Sequence, residues 1–317
     1  MTTYNLFDEI PFDKNTVLTV GTFDGVHLGH REIIHKLLEQ KQMQGYRAVV
    51  VTFDPHPQIV LRKPDKPPVT LLSTIEERLQ LLEKYGIDTV IIIPFSQEFA
   101  AMGSEEFIRQ YIVEKIGCSM MLVGYDHGFG RNREGNLGLL ESLSAELGFS
   151  VLQMPPLKHH DVTISSTKIR NALRDGDLAL ANSMLGYDYF IEGKVIIGDG
   201  RGAQLGLPTA NVRSVDDNKL LPKNGVYLVS AIIDNTVRYG MANVGVRPTF
   251  THDEFPSLEV HFFGIHNDLY DCVLHVSFLE RIRDEQKFDS VDLFLSQIVE
   301  DRETCYELIE KRRVSSL

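Results

Sequence analysis

Up to about residue 155, this 317-residue chain repeats one pattern: a short run of β-branched and other apolar residues, then a segment with helical spacing. The runs are Val17–Val20, Ala48–Phe53, Val90–Ile93, Met120–Val123 and Val151–Met154. Between them, segments 28–43, 74–85, 103–116 and 136–148 carry apolar residues three and four apart. Runs without polar alternation predict strands buried on both faces, and strands joined through helices pair in parallel. The expected fold of this part is an α/β domain with a doubly wound parallel sheet. Ligands in such sheets bind beyond the C-terminal strand ends.

The pattern then changes. A helical stretch runs from Lys168 to about Leu185, followed by runs at Lys194–Ile197, Val226–Ile233, Val237–Val244, Leu258–Phe263 and Val273–Leu279. Clusters of Gly, Asn, Asp and Pro separate these runs, as in an antiparallel β-barrel. Between Ser290 and Arg312, the residues Leu293, Phe294, Ile298, Val299, Tyr306 and Ile309 recur at helical spacing, which predicts a terminal helix against the barrel. The length exceeds what one core usually supports. The expected domains are therefore 1–185 and 186–317.

Candidate chemistry sits at the strand ends. Gly21-Thr-Phe-Asp-Gly-Val-His-Leu-Gly-His30 follows the first strand. Gly21 and Gly25 lie in the strand-to-helix turn, where a residue without Cβ lets backbone N–H groups approach an anion. His27 and His30, three apart, face one side of the first helical turn beside the positive end of the helix dipole, an arrangement suited to phosphate. An isolated pair of this spacing is also found on plain surfaces and in zinc sites. No third ligand follows at finger or zincin spacing, and His159-His160 is an isolated doublet.

Asp54-Pro-His-Pro57 follows the second strand and Gly124-Tyr-Asp-His-Gly-Phe-Gly130 the fourth, so the three motifs are expected to share one crevice. Ile164-Ser-Ser-Thr-Lys-Ile-Arg170 precedes the helical stretch. Ser165, Ser166 and Thr167 can cap a helix and donate to oxygens, and Arg170 adds a fork suited to phosphate. Alone, this segment reads as an N-cap. The loop Gly198-Asp-Gly-Arg-Gly-Ala203 matches a dinucleotide fingerprint in form only, because Leu207-Pro208 begins another extended segment where a helix is required.

The formal net charge of -12 argues against general nucleic-acid or anionic-membrane partners, so anionic substrates must meet local cations and dipoles. Three widely spaced cysteines suggest neither a disulfide framework nor a redox pair, and are expected to be buried. The first ten residues lack a leader pattern and no apolar run is long enough to span a bilayer, from which a cytoplasmic location is expected.

Taken together, G-x-F-D-G-x-H-x-G-H, G-x-D-x-x-F-G and S-S-T-x-x-R resemble the adenylyltransferase half of bacterial bifunctional riboflavin kinase/FAD synthetases. Gly206-Leu-Pro-Thr-Ala-Asn211, Asn224-Gly-Val-Tyr227, Asn243-Val-Gly-Val-Arg-Pro-Thr-Phe250, Leu258-Glu-Val-His261 and Arg283-Asp-Glu-Gln-Lys-Phe288 resemble the kinase half, so the likeness covers essentially the whole chain. It implies conversion of riboflavin and ATP to FMN, then of FMN and ATP to FAD and pyrophosphate. Mg²⁺ is implied as cofactor, with a monomer or weak homo-oligomer expected. The family's basic and aromatic residues flanking the glycine loop are replaced by Ala203 and Leu207, and His127 stands where an aromatic is usual.

The two reactions make different demands. The second pKa of a phosphate monoester is about 6, so FMN is already a nucleophile and adenylyl transfer needs alignment and charge stabilisation but no protein base. By the resemblance, His27 and His30 meet the ATP phosphates, with Ser166, Thr167 and Arg170 on the opposite wall. Gly21, Phe23 and Asp24 complete the nucleotide pocket and Asp126 lies at its edge. Asp54 and His56 are candidates for the flavin side, with a Pro-rich turn as the alternative. Riboflavin phosphorylation starts from a neutral hydroxyl, where a base helps. Glu259, an acid within the apolar strand Leu258–Phe263, is the candidate, unless strand alternation merely turns it to solvent. Thr209 and Asn211 offer oxygens to Mg²⁺ and ATP phosphate. Gly198, Gly200 and Gly202 are implied to form a flap over ATP; a plain hairpin turn is the alternative. Two other readings remain: an adenylyltransferase for another phosphorylated acceptor beside a non-catalytic flavin-binding barrel, and a barrel that only stores or senses flavin.

Overall fold

The structure is a computed structural model describing residues 1–125, 130, 134–159, 162–198, 206–247, 255–265 and 268–315. It divides into two compact units, Met1–Ser166 and Thr167–Leu317.

In the first unit, β1 (Thr2–Asn5), β2 (Thr16–Val20), β3 (Arg47–Asp54), β4 (Thr89–Pro94), β5 (Met120–Val123) and β6 (Ser150–Gln153) pair in parallel in the order β1-β4-β3-β2-β5-β6. The order reverses at β2, with β3 and β4 on one side and β5 and β6 on the other. A doubly wound sheet places its ligand crevice beyond the C-terminal ends of the strands at such a reversal, here β2 and β5. Every residue of β2 is buried, as its apolar run requires. The edge strand β1 was not anticipated: Thr-Thr-Tyr-Asn has no apolar run, and it is held by its ladder to β4.

The helices follow their capping signals. α1 (Leu28–Gln44) stops at Gly45, whose φ of 68° is the left-handed cap that favours glycine. The short α2 (Pro57–Val60) precedes α3 (Ile75–Lys84), where Thr74 and Glu77 form a reciprocal capping box. After α4 (Gln97–Ala100), α5 (Ser104–Phe107) continues as π-helix over Ile108–Ile116, and α6 (Leu137–Leu147) begins at Asn136, which accepts from Leu139 N–H. Leu18, Val20, Val49, Val51, Ile91, Ile93, Met121 and Val123 pack in one core with Ile108, Ile112, Ile116 and Leu140. Each such side chain contributes about 1.5–3 kcal/mol by leaving water. Short strands β7 (Lys158–His159) and β8 (Val162–Thr163) pair before the helices that follow.

The stretch expected to be one helix from Lys168 to Leu185 is two, α7 (Ser166–Asp175) and α8 (Leu178–Leu185). Gly176 takes φ 85° and Asp177 caps α8 by accepting from Leu180 N–H at 3.0 Å, a break encoded in Asp175-Gly-Asp177. In the second unit β9 (Phe190–Ile196), β10 (Ala210–Ser214), β11 (Gly225–Ile233), β12 (Thr236–Arg247), β13 (Phe255–Phe262) and β14 (Val273–Arg283) close an antiparallel barrel in the order β10-β13-β12-β11-β14-β9. Register and burial together assign the faces. Ala210, Val260, Ala242 and Tyr227 are opposite one another and buried, filling the interior. Val226, Leu228, Met241 and Leu279 face outward, where the terminal helix α9 (Val291–Ser315) covers them with Cys305 and Ile309. Cys118 and Cys305 are buried as expected, whereas Cys272 is exposed.

Candidate active sites

The turn after β2 is tightly bent. Phe23 and Val26 are held at φ 48° and 35°, and Gly25 at 80°. Within the turn, Gly21 N–H donates to the Val51 carbonyl (3.0 Å) and Gly25 N–H to Ser73 Oγ (2.9 Å). The glycines permit the bend. Asp24 is likewise turned inward, accepting from the N–H groups of Leu72 and Ser73 at 2.9 Å each.

What the turn presents is a pair of imidazoles. His27 is the N-cap of α1, and its Nδ1 accepts from His30 N–H at 3.3 Å, which leaves the proton of the neutral ring on Nε2. The two rings stack 3.7 Å apart at 13°, and Phe23 supports His30 from a centroid distance of 4.9 Å. His30 Nδ1 is sealed from solvent without a hydrogen-bond partner. Burial, with the adjacent His27 and Arg78, holds its pKa well below the ordinary value. A neutral, rigidly held imidazole is a hydrogen-bonding group whose position does not change with modest acidification.

Other expected residues fall around this turn unevenly. Ser166 Oγ donates to the Asp24 carbonyl at 3.0 Å, so the start of α7 is tied to the turn. Thr167 and Arg170 belong to the second compact unit, Thr167 exposed and Arg170 buried on α7; Ser165 is half-buried. Asp54 is exposed at the end of β3, while His56 is buried and caps α2 by accepting from Gln58 N–H at 3.1 Å. Asp126, His127, Gly200, Gly202 and Ala203 lie outside the described residues.

Features unread in the sequence are also here. Arg78 of α3 is 1% exposed, and its guanidinium donates to Thr52 Oγ1 and the Phe53 carbonyl. From the end of β3, aromatic rings continue through Phe53, Phe95, Phe99 and Phe107 at centroid spacings of 5.6 to 5.8 Å. Isolated phenylalanines in mixed segments gave no signal for that contiguity.

The barrel holds a second constellation. Glu259 on β13 is directly opposite Asn211 on β10 and Asn243 on β12, so the three side chains share the outer face in one row. Glu259 is half-buried there, not lost to solvent. The row continues through Val226 to Arg283, which is clamped by Asp301 of α9 with Nη2 2.7 Å from Oδ2. A Cβ on Gly198 would stand 2.0 Å from Asn211 Nδ2, so the backbone passes directly over that amide and a larger residue must displace it. Thr209 precedes Asn211 by two residues at the same strand start. His261 Nδ1 is 2.8 Å from the Pro208 carbonyl, pinning the segment that carries both. Beside it a pocket of ≈ 320 Å³ is lined by Leu207, Pro208, Phe263, Ile265, Arg302 and Tyr306, among others.

The FAD synthetase family model matches residues 9–168 and the riboflavin kinase model residues 185–309. The chain belongs to the bifunctional riboflavin kinase/FMN adenylyltransferase family. Members so named include one from Bacillus subtilis, 35% identical and covering 91% of this chain and 90% of its own. Another, from Escherichia coli, is 37% identical and covers 93% of each chain. A solved Streptococcus pneumoniae structure, described as a macrolide-efflux protein, has a TM-score of 0.85 at 32% identity, covering 96% of this chain and 99% of that one. Among the described residues here, no helix is long and apolar enough to cross a membrane.

Proposed function

We propose that the chain phosphorylates riboflavin to FMN in its barrel and adenylylates FMN to FAD, with release of pyrophosphate, in its parallel-sheet domain. The observation that carries this reading is the occurrence of two chemically different constellations in separate units: the stacked His27–His30 pair, and the Asn211–Glu259–Asn243 row. The first presents positioned imidazoles, which suits an already ionised phosphate nucleophile. The second has a carboxylate between amides, which suits a neutral hydroxyl.

In the adenylyltransferase domain, His27 and His30 hold the ATP phosphates while Asp24 and Phe23 fix the turn, beside Ser165 and Ser166; the resemblance adds Thr167, Arg170 and Asp126 to the residues that serve the nucleotide. The half-buried rings of Phe53, Phe95 and Phe99, next to Asp54 and His56, support placing the flavin along this end of β3. A functional boundary at 185/186 assigns α7, with its Arg170, to this domain.

In the kinase domain, Glu259 accepts the ribityl hydroxyl proton as the oxygen attacks the γ-phosphorus. The pocket beside Pro208 takes the purine of ATP, so the phosphates run toward Thr209 and Asn211. Among the described residues no cluster of His, Cys, Asp or Glu is arranged to hold a metal. The hydroxyl of Thr209 and the amide oxygen of Asn211 fit the alternative, a Mg²⁺ held jointly by a few protein oxygens and the ATP phosphates. When bound, it neutralises charge on those phosphates. Gly198 lies over the Asn211 amide at this end, and the resemblance adds Gly200 and Gly202 to it as a flap. Use of ATP in both steps supports a cytoplasmic location, and the presence of both constellations on one chain supports a monomer or weak homo-oligomer.

Riboflavin, ATP and Mg²⁺ supplied alone are expected to yield FMN and then FAD, resolved by chromatography with flavin fluorescence. Tight riboflavin binding without turnover would overturn the enzymatic reading. Adenylylation of a different phosphorylated acceptor in preference to FMN would overturn the assignment of the first domain.

Gly198→Ala provides a local test of the kinase site. The added methyl displaces the Asn211 amide, and a misplacement of about 1 Å can cost about 100-fold. Riboflavin phosphorylation is therefore expected to fall by about that factor while FAD formation from supplied FMN is unchanged. A parental phosphorylation rate would remove the Gly198–Asn211 contact from the mechanism.

A further inference from the structure

A fully buried arginine needs a reason, because its charge can be neither removed by titration nor hydrated where it lies. Arg78 sits on the core side of α3 beside Leu81 and Leu82, at 1% exposure. Its Nη1 donates to Thr52 Oγ1 at 3.0 Å and to the Phe53 carbonyl at 2.9 Å, and its Nε has no hydrogen-bond partner. Thr52 Oγ1 in turn donates to the Thr22 carbonyl at 3.2 Å. One guanidinium thus bridges the C-terminal end of β3 to the turn that follows β2. The same turn is tied to the start of α3 a second time, through Asp24 and Ser73. The carboxylates of Asp24, Asp54 and Glu76 support the charge of Arg78 against its burial.

For stability alone, an apolar side chain of similar length would pack beside Leu81 and Leu82 without the desolvation cost of a charge. What the cation adds is orientation at a strand-end crevice where phosphates are handled.

We propose that Arg78 is a positioning residue for adenylyl transfer, locking the ends of β2 and β3 so that His27 and His30 meet the ATP phosphates in a reactive arrangement. It acts through the turn and touches no reacting atom. The proposal rests on the adenylyltransferase reading of this site, which fails separately if the parent chain makes no FAD from FMN.

The test compares Arg78→Lys and Arg78→Met in the full chain, with rates of FAD formation from FMN and of FMN formation from riboflavin. Lysine keeps the buried charge and one bridge; methionine keeps only length. In Arg78→Met, kcat for FAD formation is expected to fall about 100-fold with the KM for ATP within about threefold of the parent. Arg78→Lys is expected to recover kcat to within about tenfold of the parent, and riboflavin phosphorylation is expected to be unchanged in both. A methionine variant within about threefold of the parental kcat, or a lysine variant no better than the methionine one, overturns the proposal. If Arg78→Met fails to fold, judged by the loss of its cooperative thermal transition, Thr52→Val carries the test. That change deletes the bridging hydroxyl and keeps the shape; a loss of about tenfold in kcat supports the proposal and a parental kcat overturns it.

Discussion

Glu259→Gln is expected to lower FMN formation from riboflavin by about 1000-fold, within the range that general-base catalysis contributes. Glutamine preserves the size of the side chain and can still hydrogen-bond in the row between Asn211 and Asn243, so the strand ladder and the Thr209–Asn211 segment stay in place. Only the ability to accept a proton is lost. The ribityl hydroxyl is neutral at working pH, and its attack on phosphorus generates a proton that no other group in the row can take, because Asn211 and Asn243 are amides. FAD formation from supplied FMN is expected to be unchanged, since His27 and His30 lie in the other compact unit. Initial rates with riboflavin and with FMN as alternative substrates make the comparison in one preparation. A phosphorylation rate within about tenfold of the parent would leave Glu259 without the role of base, and loss of both activities together would refute separate sites.

The sheet was legible because Val and Ile runs without alternation have few other solutions, and the positions of α1, α3 and α6 were legible from apolar residues three and four apart. β1 was not, since an edge strand paired on one side needs no apolar run. Arg78 was hidden for a different reason: a cation at helical spacing beside leucines reads as part of a solvated face, and only the folded chain shows that Thr52 and the Phe53 carbonyl await it. The glycines after β2 illustrate the limit of local reading. Their conformational role followed from residue type, but where their N–H groups point depends on Val51 and Ser73, which are distant in sequence. Asn243 was legible as part of a motif, whereas its place opposite Glu259 depends on the register of β12 against β13.

His30→Ala is expected to stall the pathway at FMN, lowering FAD formation by about 100- to 1000-fold, the usual cost of removing one positioned donor to a developing charge. Riboflavin phosphorylation continues, so FMN accumulates and is read directly by chromatography. Continued FAD production at the parental rate would take His30 out of the mechanism. The same substitution has a pH signature. Burial, His27 and Arg78 hold the folded His30 pKa well below 6.5, whereas in the unfolded chain the group titrates near that value. Below about pH 6.5 the unfolded chain therefore binds a proton that the folded one refuses, and folding stability falls with pH until the folded pKa is reached. Above about pH 6.5 both states are neutral and the contribution to pH dependence vanishes. Unfolding midpoints at about pH 7.5 and about pH 5.5 are thus expected to converge in His30→Ala, whose first domain no longer carries this penalty. An equal acid-induced drop in parent and variant would mean that His30 is not held neutral by the fold, and the phosphate-facing role would then belong to an imidazolium, whose activity should rise with acidity.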